Sequence, residues 1–169
     1  VITAKVGNTT ATCKVTVKAS TIKFAKASVT IYKGKTATVK ATATPSATVK
    51  YTSSNTKVAT VNSKTGVVKG IKAGTVTITA KAGALKTTCK VVVKNPAFSL
   101  VKSSATIKKG KTTTIRSKAT PVSTVTYTSS NKKVATVNSK GVVTAKKKGT
   151  AKITVKCNGI TRTFKVTVK

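Results

Sequence analysis

Apolar and polar side chains alternate along most of the chain. Between Lys35 and Ala43, Ala37, Val39 and Ala41 fall on one face and Thr36, Thr38 and Lys40 on the other. A period of two belongs to a strand with one face buried. Similar runs recur at Thr21–Ala25, Ser28–Tyr32, Val49–Thr52, Val58–Val61, Gly66–Lys69, Thr75–Ala80 and Lys86–Lys94. Tyr51 shares the inward face of Val49. Turn signals separate the runs: Lys33-Gly34-Lys35, Pro45, Ser53-Ser54-Asn55, Asn62–Gly66 and Gly74. Short strands spaced by regular turns predict an all-β sandwich.

The pattern is duplicated. The stretch Tyr127–Gly141 repeats Tyr51–Gly66, and the two tyrosines lie 76 residues apart (127 minus 51). Gly110, Pro121, Asn131, Gly141 and Gly149 occupy matching places in the second copy. A one-residue deletion at Thr65 shortens the later offset to 75, as between Gly74 and Gly149, and loops tolerate such a change. Residues 1–18 match both 76–94 and 153–169, so they read as the closing hairpin of a repeat whose beginning is missing. The organisation is therefore a hairpin at 1–18, a repeat at 20–94 and a repeat at 96–169. The joints Ala19-Ser20 and Asn95-Pro96 are short, which predicts a stiff rod. A start at Val1, inside a strand, suggests an excerpt of a longer, processed protein. The hairpin 1–18 is expected to pack on strands of another chain, giving end-to-end self-association, or on strands of its own repeat.

Composition favours the same architecture. Val, Thr, Ala and Ile outnumber Leu, and β-branched side chains fit a pleated surface. Cys13, Cys89 and Cys157 each fall on the apolar side of a strand. Three is not the number of a disulfide framework, so the expectation is three buried small hydrophobes. The longest apolar runs are far too short to span a membrane as a helix.

Charge changes the picture more. Lys and Arg number 34, with no Asp, Glu or His, for a net charge of +34. That is far beyond the magnitude of roughly 2–8 that suits a small soluble domain. No side-chain ion pair can form. The lysines must be screened by salt or neutralised by a polyanionic partner.

The segment YTSSNKKVATVNSKGVVTAKKKGTAKITVK resembles the bacterial immunoglobulin-like group 2 domain, found also in intimin- and invasin-type adhesins and in phage surface proteins. The resemblance rests on SSN-x-x-VATV-N-x-x-G-VV, a Gly-Thr step and a closing hairpin, and it covers the whole chain. It implies tandem immunoglobulin-like β-sandwich domains used as spacer or adhesive modules on a cell surface or outside the cell. Two departures stand out. The family often has Trp where Tyr51 and Tyr127 stand. It usually carries Asp or Glu in the turns that here hold Asn55, Asn62, Asn131 and Asn138, so no acidic binding site carries over.

The residue inventory also limits chemistry. Without His, Asp or Glu there is no ordinary general base near neutral pH, and neither triads nor glycosidase dyads can be assembled. Calcium needs carboxylate oxygens and zinc needs Cys or His clusters. An isopeptide bond lacks its assisting acid, and a thioester lacks Gln. No enzyme activity, cofactor, metal site or small-molecule substrate is expected. Lys108-Lys109-Gly110-Lys111 lacks the strand–loop–helix context of a phosphate loop and reads as a hairpin turn.

Lysines cluster at turns of the last repeat: Lys108, Lys109 and Lys111; Lys132 and Lys133; Lys146, Lys147 and Lys148. These are the candidate polyanion contacts, expected to gather at one end of the sandwich. The partners they suit are anionic glycans, cell-wall polymers or nucleic acid, held non-specifically through counterion release. Arg is confined to Arg116 and Arg162, which argues against base-edge readout. Of the six aromatics only Tyr32 falls on an outward position, which argues against a stacking platform. Three roles fit these features: a structural repeat of a surface or secreted protein, an adhesive module for anionic polymers, and a phage virion accessory protein.

Overall fold

The computed structural model describes residues 1–169 and contains strands but no helix. The strands are β1 (Ile2–Val6), β2 (Thr9–Cys13), β3 (Thr21–Phe24), β4 (Ser28–Tyr32), β5 (Thr36–Thr38), β6 (Ala41–Thr44), β7 (Lys50–Ser53), β8 (Ala59–Val61), β9 (Val67–Gly70), β10 (Gly74–Ala82), β11 (Leu85–Lys94), β12 (Ala97–Leu100), β13 (Ser104–Ile107), β14 (Thr112–Thr114), β15 (Ser117–Thr120), β16 (Thr126–Ser129), β17 (Ala135–Val137), β18 (Val142–Ala145), β19 (Gly149–Cys157) and β20 (Ile160–Val168). The expected strands are present, with ends shifted by a residue or two. The fold is all-β, and the chain divides into two compact units, Val1–Val93 and Lys94–Lys169.

Both units are built alike. In the first, one sheet has the order β4-β11-β10-β7, a second has β5-β9-β8, and β3 pairs with β6. In the second unit the corresponding orders are β13-β20-β19-β16, β14-β18-β17 and β12-β15. The inward residues of these sheets meet in one core per unit. Ile31, Val39, Tyr51, Val68, Ile78 and Val91 belong to the first core, and Phe98, Ile115, Val143, Ile153, Val155 and Phe164 to the second. Each fully buried Val or Ile contributes about 1.5–3 kcal/mol relative to an exposed one.

The run Lys35–Ala43, expected as one strand, is two. Strand β5 pairs with β9, whereas β6 pairs with β3 in a different sheet. The crossing lies at Val39, whose amide donates to the Gly66 carbonyl at 2.9 Å. Val39 stays buried through the crossing, so the alternation continues although the pairing partner changes. Ile115 makes the same crossing in the second unit, donating to the Gly141 carbonyl at 2.9 Å.

The Ser-Ser-Asn turns are fixed by their own side chains. Ser53 Oγ donates to the Ala59 carbonyl at 2.7 Å, Ser54 Oγ accepts from the Thr77 amide at 3.1 Å, and Asn55 Oδ1 accepts from the Lys57 amide at 3.0 Å. Ser129, Ser130 and Asn131 repeat all three bonds. Such bonds are why Ser and Asn favour turns. The deletion at Thr65 is absorbed in the same way. Asn62 Oδ1 accepts from Lys64 and Thr65 amides at 3.0 and 2.9 Å, while Asn138 Oδ1 accepts from Lys140 and Val142, both at 3.0 Å.

One expectation is corrected. Cys89 and Cys157 are buried, but Cys13 is exposed and all three thiols are free. The hairpin β1–β2 has the register of β10–β11, with Ile2 opposite Cys13 as Ile78 is opposite Cys89. No other sheet covers it, however, and every residue of both strands is exposed. The pattern put Cys13 on an apolar face, but burial requires a facing layer.

Candidate anion-binding surface

Backbone hydrogen bonds bring the three lysine-bearing turns of the second unit together. The turn after β13 carries Lys108, Lys109 and Lys111, and closes through the Lys111 amide to the Lys108 carbonyl at 3.1 Å. It is fastened to the end of β18. The Gly110 amide donates to the Ala145 carbonyl at 2.9 Å, and the Ala145 amide donates to the Lys111 carbonyl at 3.0 Å. Lys146 therefore follows directly beside this turn. The amides of Lys146 and Lys147 in turn donate to the Val134 carbonyl at 2.8 and 3.3 Å, which sets Lys146–Lys148 next to the turn holding Lys132 and Lys133.

All eight candidate lysines are exposed. The alternation explains why: each lies in a turn or just past a strand end, where no facing strand covers it. Sequence reasoning missed a ninth neighbour, Lys169. Its carbonyl accepts from the Lys109 amide at 3.2 Å and its amide donates to Ile107 at 3.1 Å. The contact arises because β13 and β20 run parallel, with Ile107 opposite Val168. Only the matching ends of the first and last strands of that sheet could have signalled it.

The first unit has the same framework. The Gly34 amide donates to Gly70, the Gly70 amide to Lys35, and the Ile71 and Lys72 amides to Val58. Lys33, Lys35, Lys57 and Lys72 repeat half of the second unit's lysines. Tyr32, Thr56, Ile71 and Ala73 stand where that unit has Lys108, Lys132, Lys146 and Lys148. The scaffold thus tolerates either choice, and the charge density is a property of the second copy.

Chemically, a surface of ammonium groups can hold phosphate, sulfate or carboxylate as point charges with three donors each. It presents no carboxylate and no imidazole. The buried Cys89 thiol is pushed above its ordinary value by desolvation, so it is not a reactive thiolate near neutral pH. Of the aromatics, Phe98, Phe164 and Tyr51 are buried, Phe24 and Tyr127 pack against the cores, and Tyr32 is half-buried outside them.

The chain is similar to kappa-carrageenase of Pseudoalteromonas carrageenovora, with 51% identity over 67 residues that span 37% of this chain and 17% of that protein. Among solved structures, the S-layer protein rSbsC(31-844) is matched at 21% identity and TM-score 0.48, over 89% of this chain and 28% of that one. Human protocadherin-24 EC1-2 is matched at 14% identity and TM-score 0.39, over 88% of this chain and 97% of that one. The bacterial Ig-like domain (group 2) model matches residues 16–92 and again 95–168, so the chain belongs to that family.

Proposed function

We propose that this chain is a non-catalytic structural and adhesive repeat segment of a bacterial surface or secreted protein. In this reading the basic end of the second unit, formed by Lys108, Lys109, Lys111, Lys132, Lys133 and Lys146–Lys148, grips anionic polymers without reading their sequence. Acidic glycans, cell-wall polymers and nucleic acid share the chemistry it takes. The observation that carries the reading is the convergence of three lysine-rich turns on one end of a sandwich, in a chain with no carboxylate side chain to neutralise them. Family membership and the match to 17% of a larger relative fit a module that accompanies other domains.

Total charge alone would retain this chain on any anionic matrix, so the test holds charge constant. One variant carries Lys108→Thr, Lys109→Thr and Lys111→Thr. A control carries Lys102→Thr, Lys118→Thr and Lys156→Thr, away from the three turns. On a heparin column the first variant elutes at clearly lower salt than the control. Equal elution would remove the end surface from the proposal, and elution of the unmodified chain below about 0.2 M salt, where charges still act over roughly 7 Å, would remove polyanion binding altogether.

A further inference from the structure

The pairing register of the first unit places three lysines side by side on the outer face of its four-stranded sheet. Lys81 on β10 is directly opposite Lys86 on β11 and Lys50 on β7. All three are exposed, and the adjoining Ala80, Ala82 and Tyr51 point into the core. Neighbouring strands lie about 4.8 Å apart, so the row crosses three strands within about 10 Å. Like charges directly opposite one another on a sheet are unfavourable, and no carboxylate exists in the chain to relieve them. The next row on the same face is Thr52, Thr79 and Thr88, again directly opposite one another. These three threonines line one shallow groove together with Lys81 and Lys86.

The second unit keeps the hydroxyl row as Thr128, Thr154 and Thr163. At the three lysine positions it has Thr126, Lys156 and Thr161. A charge at each outer position of the row is therefore not demanded by the fold. The first unit opposes three lysines where its sibling opposes one lysine to two threonines, and the sibling's own opposed pair, Lys152 and Lys165, lies two rows away on the same face.

We infer that Lys50, Lys81 and Lys86, with the hydroxyls of Thr52, Thr79 and Thr88, form a binding site for an anionic polysaccharide chain. This site is separate from the turn lysines of the second unit and does not depend on them. Ammonium groups meet the sulfate or carboxylate groups of the polymer, and the threonines exchange hydrogen bonds with its hydroxyls. A nucleic acid is the poorer fit. The outward positions of β7, β10 and β11 hold Lys, Thr and Val92, with no aromatic side chain on which a base could stack. Both arginines of the chain lie in the second unit.

The test uses the whole chain with Lys50→Thr and Lys86→Thr together, the residues the second unit itself carries. The probes are a heparin-derived oligosaccharide and, separately, oligo(dT) of equal charge, titrated at low salt. Losing two exposed charge contacts weakens oligosaccharide binding roughly two- to thirty-fold. The melting temperature of the ligand-free variant is equal to or above that of the unmodified chain. Amide resonances of Thr52, Thr79 and Thr88 move on titration with the oligosaccharide. Unchanged affinity read from the resonances of Thr52, Thr79 and Thr88, or resonance changes confined to other residues, overturns the site. If oligo(dT) binds as tightly and loses as much, the polysaccharide assignment is overturned. A variant that melts lower without ligand overturns the claim that the row is maintained for binding.

Discussion

Gly66 and Gly141 show how much a single position in this fold carries. Both have positive φ, +70° and +77°, a region where an L side chain is strained by about 1–2 kcal/mol. Both also lie under a tyrosine ring. A Cβ on Gly141 would stand 2.8 Å from the ring of Tyr127, and one on Gly66 would collide with the Val39 carbonyl and touch Tyr51. Tyr51 is itself fixed, its hydroxyl accepting from the Ala41 amide at 3.0 Å. Gly34 has nearly the same φ, +79°, with nothing within 4 Å of its would-be Cβ. Gly66→Ala should therefore cost about 2–5 kcal/mol, strain plus overpacking, and Gly34→Ala only the strain. Thermal unfolding of the two variants separates these contributions, and equal losses would mean that neither the Val39 carbonyl nor the Tyr51 ring resists the added methyl group. The sequence pattern marked both glycines as turn residues. It did not show the tyrosine over them, because that contact joins β7 to a turn beyond β8, and no local periodicity encodes it.

At the level of elements, periodicity read the faces correctly, whereas pairing partners and coverage were hidden from it. The continuous alternation of Lys35–Ala43 concealed a change of sheet, since Val39 faces the core from either one. The face of the β1–β2 hairpin was equally legible. Ile2 and Cys13 occupy the positions of Ile78 and Cys89, yet Ile2 is 64% exposed while Ile78 is fully buried. Alternation specifies which side is apolar; only a second layer makes that side interior. The three thiols report this directly. In the 169-residue chain a thiol reagent should label Cys13 rapidly, whereas Cys89 and Cys157 should react only at the rate at which their units open. Burial also holds the Cys89 thiol protonated to higher pH, slowing it further. Peptide mapping after timed labelling checks the order. Prompt labelling of Cys89 alongside Cys13 would mean that β10 and β11 do not close over their core.

Across the whole molecule, one-signed charge sets the balance between folding and repulsion. The net value of +34 arises without a single acidic side chain, so repulsion opposes compaction in both units and no side chain of opposite charge offsets it. The lysines were placed on outward positions by the alternation, and the structure exposes every one of them. The clustering of three turns and the row on the outer sheet face depend instead on cross-strand partners, which composition does not specify. Stability should respond to salt but not to pH. Screening lengths shrink from about 30 Å at 0.01 M salt to about 3 Å at 1 M, so the melting temperature should rise steadily with sodium chloride over that range. Most proteins lose stability in acid because paired carboxylates must be protonated. This chain has none, and with no His no side chain changes charge between about pH 4 and pH 7. At fixed ionic strength its melting temperature should therefore be flat across that interval, while a parallel salt series at one pH is steep. Calorimetry over both series decides the matter. A fall in melting temperature toward pH 4, or no response to salt, would mean that lysine repulsion is not what limits the stability of these repeats.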